Sequence, residues 1–227
     1  MLFDDEIALL TSAANYNVLK FELPIIYPIT DCCLSGLSHI EQASRLIAGG
    51  AKVVQLRDKT ASPRDFYESA SAVMRFARGR GVKIIINDRV DMALTIKANG
   101  VHLGQDDLPP EMARQILGPE AIIGVSTHSV EQARPAILLP VDYITIGPIF
   151  HTKTKSNPDE VVGFDGLSAV RDATGNFPLV AIGGITAANL ISVLVAGADS
   201  AAIVADILSD PDKIESRMRH LSGLILV

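Results

Sequence analysis

Short β-branched runs that alternate with longer amphipathic stretches, eight of each in 227 residues, predict an α/β fold built as a single (β/α)8 TIM barrel with an N-terminal extension. Three observations carry this. Strands that alternate with helices imply a parallel sheet. Eight such units at this length sit near the lower end of the roughly 200 to 400 residues typical of the barrel. A doubly wound open sheet, the competing architecture, usually carries G-x-G-x-x-G after its first strand, and that motif is missing here.

The elements follow in order. Residues Met1–Glu22 precede the first strand and are expected to form an arm or extra helix, with residues 23–227 as the barrel. Ile25-Ile26-Tyr27 places the first strand at Pro24–Thr30, and helix Leu37–Ala48 stops at Gly49-Gly50. Val53-Val54 marks the strand Lys52–Leu56, and helix Pro63–Arg78 stops at Gly79. Ile84-Ile85-Ile86 makes the strand Lys83–Asn87, followed by helix Val90–Lys97. The strand Gly100–Leu103 precedes helix Pro109–Leu117, which Gly118 ends. Next come the strand Ile122–Ser126 and helix Val130–Leu138, then the strand Tyr143–Ile146 and, after a long loop, helix Gly166–Ala173. The strand Pro178–Ile182 leads to helix Ala187–Ala196, stopped by Gly197. The last strand, Ala201–Val204, passes through a short helical turn into helix Pro211–Leu221.

With 48% hydrophobic and 20% charged residues, the chain can bury a sizeable core. A net charge of −6 argues against a nucleic-acid surface, which would be basic, but leaves room for a local cationic pocket. No apolar run approaches membrane-spanning length, and the acidic start at Asp4-Asp5-Glu6 is wrong for a signal peptide. The only cysteines, Cys32 and Cys33, are adjacent, which disfavours a disulfide between them and leaves a metal site short of ligands. A soluble protein in a reducing, cytoplasmic compartment is expected.

Polar residues that resist a core role gather at the C-terminal ends of the strands, the face where barrel active sites lie. Gln55, Arg57 and Lys59 recur at every second position, so in an extended chain they share a face and form a cradle for a polyanion. Asp58 then points the other way. Asn87-Asp88 ends the third strand, and Gly104-Gln105-Asp106-Asp107 follows the fourth. Asp88 and Asp107 follow neighbouring strands, and paired carboxylates repel unless a cation joins them. Magnesium suits the pair, while a helix N-cap remains open for either Asp alone. Ser126 ends the fifth strand. Thr152-Lys153-Thr154-Lys155 lies in a long loop suited to a second anion or a lid. Gly183-Gly184 and Val204-Ala205 follow the seventh and eighth strands, where such barrels bind phosphate. His102, His128 and His151 have no partner that would make a catalytic triad, and packing is the expected role of the cysteines.

Taken in order, Tyr27-Pro-Ile-Thr-Asp31, Gln55-Leu-Arg-Asp-Lys59, Asn87-Asp-Arg-Val-Asp91, Gly100-Val-His-Leu-Gly-Gln-Asp-Asp107, Gly124-Val-Ser126, Gly147-Pro148 with Thr152-Lys-Thr-Lys155, and Ala181-Ile-Gly-Gly-Ile185 resemble the thiamine-phosphate synthase family. The resemblance spans about residues 25 to 207. It implies a transferase that joins hydroxymethylpyrimidine diphosphate to thiazole phosphate, giving thiamine phosphate and pyrophosphate. By position, Gln55 would meet the pyrimidine. Arg57, Lys59, Asn87, Ser126 and Lys155 would hold the diphosphate, and Asp88 and Asp107 a Mg2+ ion. Thr152, Thr154, Gly184, Val204 and Ala205 would surround the thiazole phosphate. Arg57, Lys59 and Lys155 would be the catalytic cations. The family is regarded as dissociative, with the diphosphate leaving before the thiazole nitrogen attacks. Ala205 stands where the family usually has serine, and the arm is longer than expected. That arm leaves the oligomeric state open, a homodimer included. A thiazole tautomerase-like barrel would tend to lack Gln-x-Arg-x-Lys and both carboxylates, and a catalytically silent thiamine-phosphate-binding barrel has only Ala205 in its favour.

Overall fold

Runs rich in Ile and Val become strands because their branched side chains pack well on a pleated surface. In the computed structural model, which describes residues 21–152 and 160–224, they are β1 (Ile26–Pro28), β2 (Val53–Leu56), β3 (Lys83–Asn87), β4 (Gly100–Leu103), β5 (Ile122–Thr127), β6 (Tyr143–Ile146), β7 (Leu179–Ile182) and β8 (Ser200–Ile203). The eight strands form one sheet in the order β1-β8-β7-β6-β5-β4-β3-β2, and every paired neighbour is parallel. Ile29 bridges Gln55, and the Thr30 N–H donates to the Gln55 carbonyl at 2.9 Å. These contacts bring the two edge strands together and make a nearly closed (β/α)8 barrel. Residues 1–20 of the expected N-terminal arm, and residues 153–159 of the expected long loop, lie outside the described residues.

The helices are α1 (Cys32–Ser35), α2 (His39–Ala48), α3 (Pro63–Ala77), α4 (Val90–Ile96), α5 (Pro110–Leu117), α6 (Val130–Ala136), α7 (Gly163–Thr174), α8 (Leu190–Val195), α9 (Ala205–Leu208) and α10 (Ile214–Gly223), the last after a 3-10 turn at Pro211–Lys213. Their starts are chemically marked. Ser38 and Glu41 make a reciprocal capping box on α2, and Ser62 and Ser129 accept from the Asp65 and Gln132 N–H groups. Several boundaries differ from expectation by two or three residues, among them the helix expected at Gly166–Ala173, which spans Gly163–Thr174. The turn α1 has no counterpart among the expected helices: Asp31 accepts from the Leu34 N–H and Gly36 closes it at φ 70. Helix α8 begins at Leu190 rather than Ala187, because Asn189 and Asp206 side chains hold the Thr186 and Ala187 N–H groups outside the helix. Among the described residues no helix is long and apolar enough to cross a membrane.

Side-chain alternation sorts each strand into two faces. Outward residues such as Val54, Ile84, Val101, Ile123, Ile144 and Leu179 pack beneath the helices in the main core. Each such buried aliphatic side chain contributes roughly 1.5–3 kcal/mol. Inward residues Tyr27, Val53, Ile85, Ile122, Tyr143, Val180 and Ala202 fill the barrel, with Phe21 and Leu23 packed against them. The filling is tight: a Cβ on Gly124 would lie 2.0 Å from the Tyr143 ring, so the glycine makes room for that ring.

A repeated polar latch fixes the opposite, N-terminal end. The residues just before β4, β6 and β8 are Asn99, Asp142 and Asp199, and their side chains accept from the Ile84, Ile123 and Leu179 N–H groups at 2.8, 2.7 and 2.8 Å. Arg114 and Arg171 complete two of the latches, pairing with Asp142 at 2.8 Å and Asp199 at 2.5 Å. The same guanidiniums donate to carbonyls of the loops they cross, including Pro140, Ala121, Gly197 and Phe177.

Candidate active site

Strand parity decides what reaches the cavity. Val53 is interior, so Gln55 is interior one step nearer the C-terminal mouth; by the same count Asn87, His102, Ser126 and Thr145 face inward there. These residues line a cavity of about 550 Å³. Arg57, Lys59, Asp88, Asp107, Thr152, Gly184, Val204 and Ala205 line it too. The expected site residues from seven strand ends therefore come together, while Thr154 and Lys155 lie outside the described residues.

Arg57 and Lys59 reach the cavity by a different route from the one their spacing suggests. The strand ends at Leu56, so alternation alone cannot place them. Asp58 is drawn to the other side, where it meets His39 Nε2 at 3.3 Å and accepts from the Thr60 and Ala61 N–H groups, both at 2.8 Å. That turn presents its neighbours to the cavity. Arg57 lies 3.7 Å from an Asp31 oxygen, and Lys59 pairs with Asp88.

Asp88 takes a left-handed backbone, φ 61, and its N–H donates to the His102 carbonyl at 2.8 Å. Such a conformation costs an L-residue energy and is concentrated at functional sites. One Asp107 oxygen accepts from the Gly104 N–H at 2.6 Å. Burial, and then the adjacent Asp88 carboxylate, push the Asp107 carboxyl above the usual range. Neither aspartate caps a helix: Arg89 and Pro109 occupy the N-cap positions of α4 and α5. Two adjoining carboxylates that face a cavity form a hard-oxygen set that fits a magnesium ion.

At the other end of the cavity, Gly183 and Gly184 have φ of 103 and 64. A Cβ on Gly183 would lie 2.5 Å from the Pro148 side chain, and one on Gly184 would lie 2.7 Å from the His151 carbonyl. The Ile149 and Phe150 N–H groups donate to Ile182 and Gly183 carbonyls at 2.8 and 3.0 Å. The glycine loop thus grips the base of the loop carrying Thr152. The Val162 N–H donates to the Pro148 carbonyl at 2.8 Å, where the chain returns.

Sequence reasoning did not find the polar floor beneath these groups. The Gln55 amide donates to the Tyr27 hydroxyl at 3.2 Å. Tyr27 and Tyr143 hydroxyls lie 2.7 Å apart. The Tyr143 hydroxyl is 3.1 Å from His102 Nδ1, and His102 Nε2 is 2.9 Å from the Ser126 hydroxyl. Burial pushes His102 down to about 4, so its imidazole is neutral at neutral pH; burial also pushes Tyr27 up to about 12. The available signal was parity: Tyr27 and Tyr143 share the inward phase of Ile29 and Thr145. His128 instead contacts the Gly147 carbonyl through Nδ1 at 2.6 Å, in a loop role.

One expectation needs correction. Cys32 is not isolated from other ligand types, since its sulfur, His39 and Asp58 place donor atoms within 4.8 Å of one another. The group is already satisfied from within. His39 Nδ1 meets the Thr30 hydroxyl at 2.8 Å, Gln42 donates to the Cys32 sulfur, and burial first, then the nearby Asp58 charge, push the thiol up to about 11. Its role is to orient Asp58 and the turn it anchors.

Comparisons with known proteins agree with this geometry. The family model for thiamine monophosphate synthase matches residues 26–207. A thiamine-phosphate synthase of Koribacter versatilis is 48% identical over 84% of this chain and 92% of its own length. One from Chloroflexus aurantiacus is 43% identical over 89% of this chain and 93% of its own length. The solved thiamine phosphate pyrophosphorylase from Pyrococcus furiosus superposes with a TM-score of 0.79 at 32% identity, covering 93% of this chain and 98% of that one. The match runs from the first strand to the helical turn after the last, and on that ground the chain belongs to the thiamine monophosphate synthase family.

Proposed function

We propose that this chain joins 4-amino-5-hydroxymethyl-2-methylpyrimidine diphosphate to thiazole phosphate, forming thiamine phosphate and releasing pyrophosphate. The observation that carries the reading is the convergence of Arg57, Lys59, Asp88 and Asp107 on one cavity with Gln55 among its lining residues. Membership of a family whose relatives bear the synthase name supports it.

In this reading Gln55 holds the pyrimidine, and Arg57, Lys59, Asn87 and Ser126 hold the diphosphate, with Lys155 joining them. Asp88 and Asp107 hold magnesium, which when bound neutralises charge on the diphosphate oxygens. The methylene carbon–oxygen bond breaks and its electron pair leaves with the diphosphate, where Arg57 and Lys59 stabilise the growing charge. The thiazole nitrogen then forms the carbon–nitrogen bond with its own lone pair. No proton moves in either step, so the site needs no general base and its neutral His102 is not a defect. Thr152, Thr154, Gly184, Val204 and Ala205 surround the thiazole phosphate and set the nitrogen in line, which lowers the entropic part of the barrier. The two free thiols, Cys32 and Cys33, suit the reducing cytoplasm.

The test is direct. Purified protein mixed with both substrates and magnesium is expected to yield thiamine phosphate and pyrophosphate, and a chelator is expected to stop it. Absence of both products at saturating substrate would overturn the proposal.

A further inference from the structure

The polar floor is one continuous path across the barrel, Gln55–Tyr27–Tyr143–His102–Ser126. Tyr27, Tyr143, Gln55 and His102 are all buried, so an unpaired polar atom among them would be costly. Counting protons gives the path a direction. The Gln55 Nε2 can only donate, so the Tyr27 oxygen accepts. The Tyr27 proton then has the Tyr143 oxygen as its acceptor, and the Tyr143 proton has His102 Nδ1. A neutral imidazole carries one proton, which now sits on Nε2 and is donated to the Ser126 oxygen. The Ser126 proton is left for the cavity. Run the other way, Tyr27 accepts from both neighbours and its own proton has no acceptor among the described residues.

The direction has a consequence at each end. Ser126 becomes a donor, as an anion requires. Gln55 has spent an N–H on Tyr27, and its Oε1 makes no hydrogen bond among the described residues, so the amide offers a carbonyl acceptor to the ligand. Turning the amide round would reverse the path and make Ser126 an acceptor facing the diphosphate.

We propose that Tyr27, Tyr143 and His102 are a positioning relay that couples the two subsites: the anion at Ser126 fixes the Gln55 amide with its oxygen toward the ring, and so selects a pyrimidine bearing an amino donor over one bearing an oxo acceptor. The proposal rests on the diphosphate reading of Ser126. A site that hydrogen-bonds one group rejects an analogue that leaves its own polar atoms unpaired.

Two measurements test it. In the full chain carrying 15N-labelled histidine, with magnesium and inorganic pyrophosphate added, His102 is expected as the Nε2–H tautomer at neutral pH, its signals identified by their loss in His102→Gln. The Nδ1–H tautomer or an imidazolium would overturn the relay, and this readout needs no turnover, so it separates failure of the relay from failure of the synthase reading. In kinetics, Tyr143→Phe removes one hydroxyl and keeps the ring. It is expected to lower the kcat/KM preference for the 4-amino over the 4-oxo pyrimidine diphosphate by about ten-fold, the scale of one buried hydrogen bond, with KM for thiazole phosphate unchanged. An unchanged preference would also overturn it.

Discussion

Arg57 and Asp88 are the residues on which the chemistry and the architecture separate most cleanly. Both face the cavity and neither belongs to the apolar core. Arg57→Ala and Asp88→Ala are therefore expected to lower turnover by orders of magnitude, on the scale of lost transition-state charge stabilisation, with unchanged circular dichroism. A variant that fails to fold would assign the residue to structure instead. Most of the cavity could be read from the sequence because a polar side chain at a strand's mouth has no core role. Tyr27 and Tyr143 could not be read so, because tyrosine is a good strand former and passes for packing. The phase of Arg57 and Lys59 pointed to the right place for an incomplete reason, since the Asp58 turn rather than the strand carries them there.

At the scale of the elements, activity and rigidity lie at opposite ends of the barrel. The latches at Asn99, Asp142 and Asp199 tie the starts of β3, β5 and β7 to the loops before β4, β6 and β8. Arg114 is largely buried, with 11% of its side chain exposed beside Asp142 at 16%. Arg114→Ala is expected to cost about 3 kcal/mol, because it strands a desolvated carboxylate and several carbonyls. Urea unfolding should show a lower midpoint at constant slope, and the folded variant should keep its kcat/KM because the latch is remote from the cavity. An unchanged midpoint would rule out this role. Strand and helix types followed from periodicity alone. The boundaries at α1 and α8 did not, because Asp31, Asn189 and Asp206 act there through side-chain hydrogen bonds that periodicity does not register.

For the whole molecule, two buried histidines shape the pH dependence of stability. Burial lowers His102 to about 4 and also lowers His39, against an ordinary value of 6.5. In the unfolded chain both would take a proton near pH 6.5, while folded His102 resists until about pH 4. The unfolded state binds more protons in that window, so stability is complete above it and falls as the pH drops through it. For His102 alone the loss amounts to about 3 kcal/mol. Tm measured from pH 7 to 4 should decline, and His102→Gln should flatten part of the decline; a variant with an unaltered profile would remove His102 as its source.

The hydrogen bond between Val162 and Pro148 bears on how such a barrel can diversify. The chain leaves the frame at Pro148 and is bonded back to it at Val162, so the two ends of the intervening segment are held together whatever its length. Lengthening a loop whose ends are already held together adds little closure entropy, about 0.6 kcal/mol per doubling. A change in the length of that segment can therefore leave the strand register and the latches as they are.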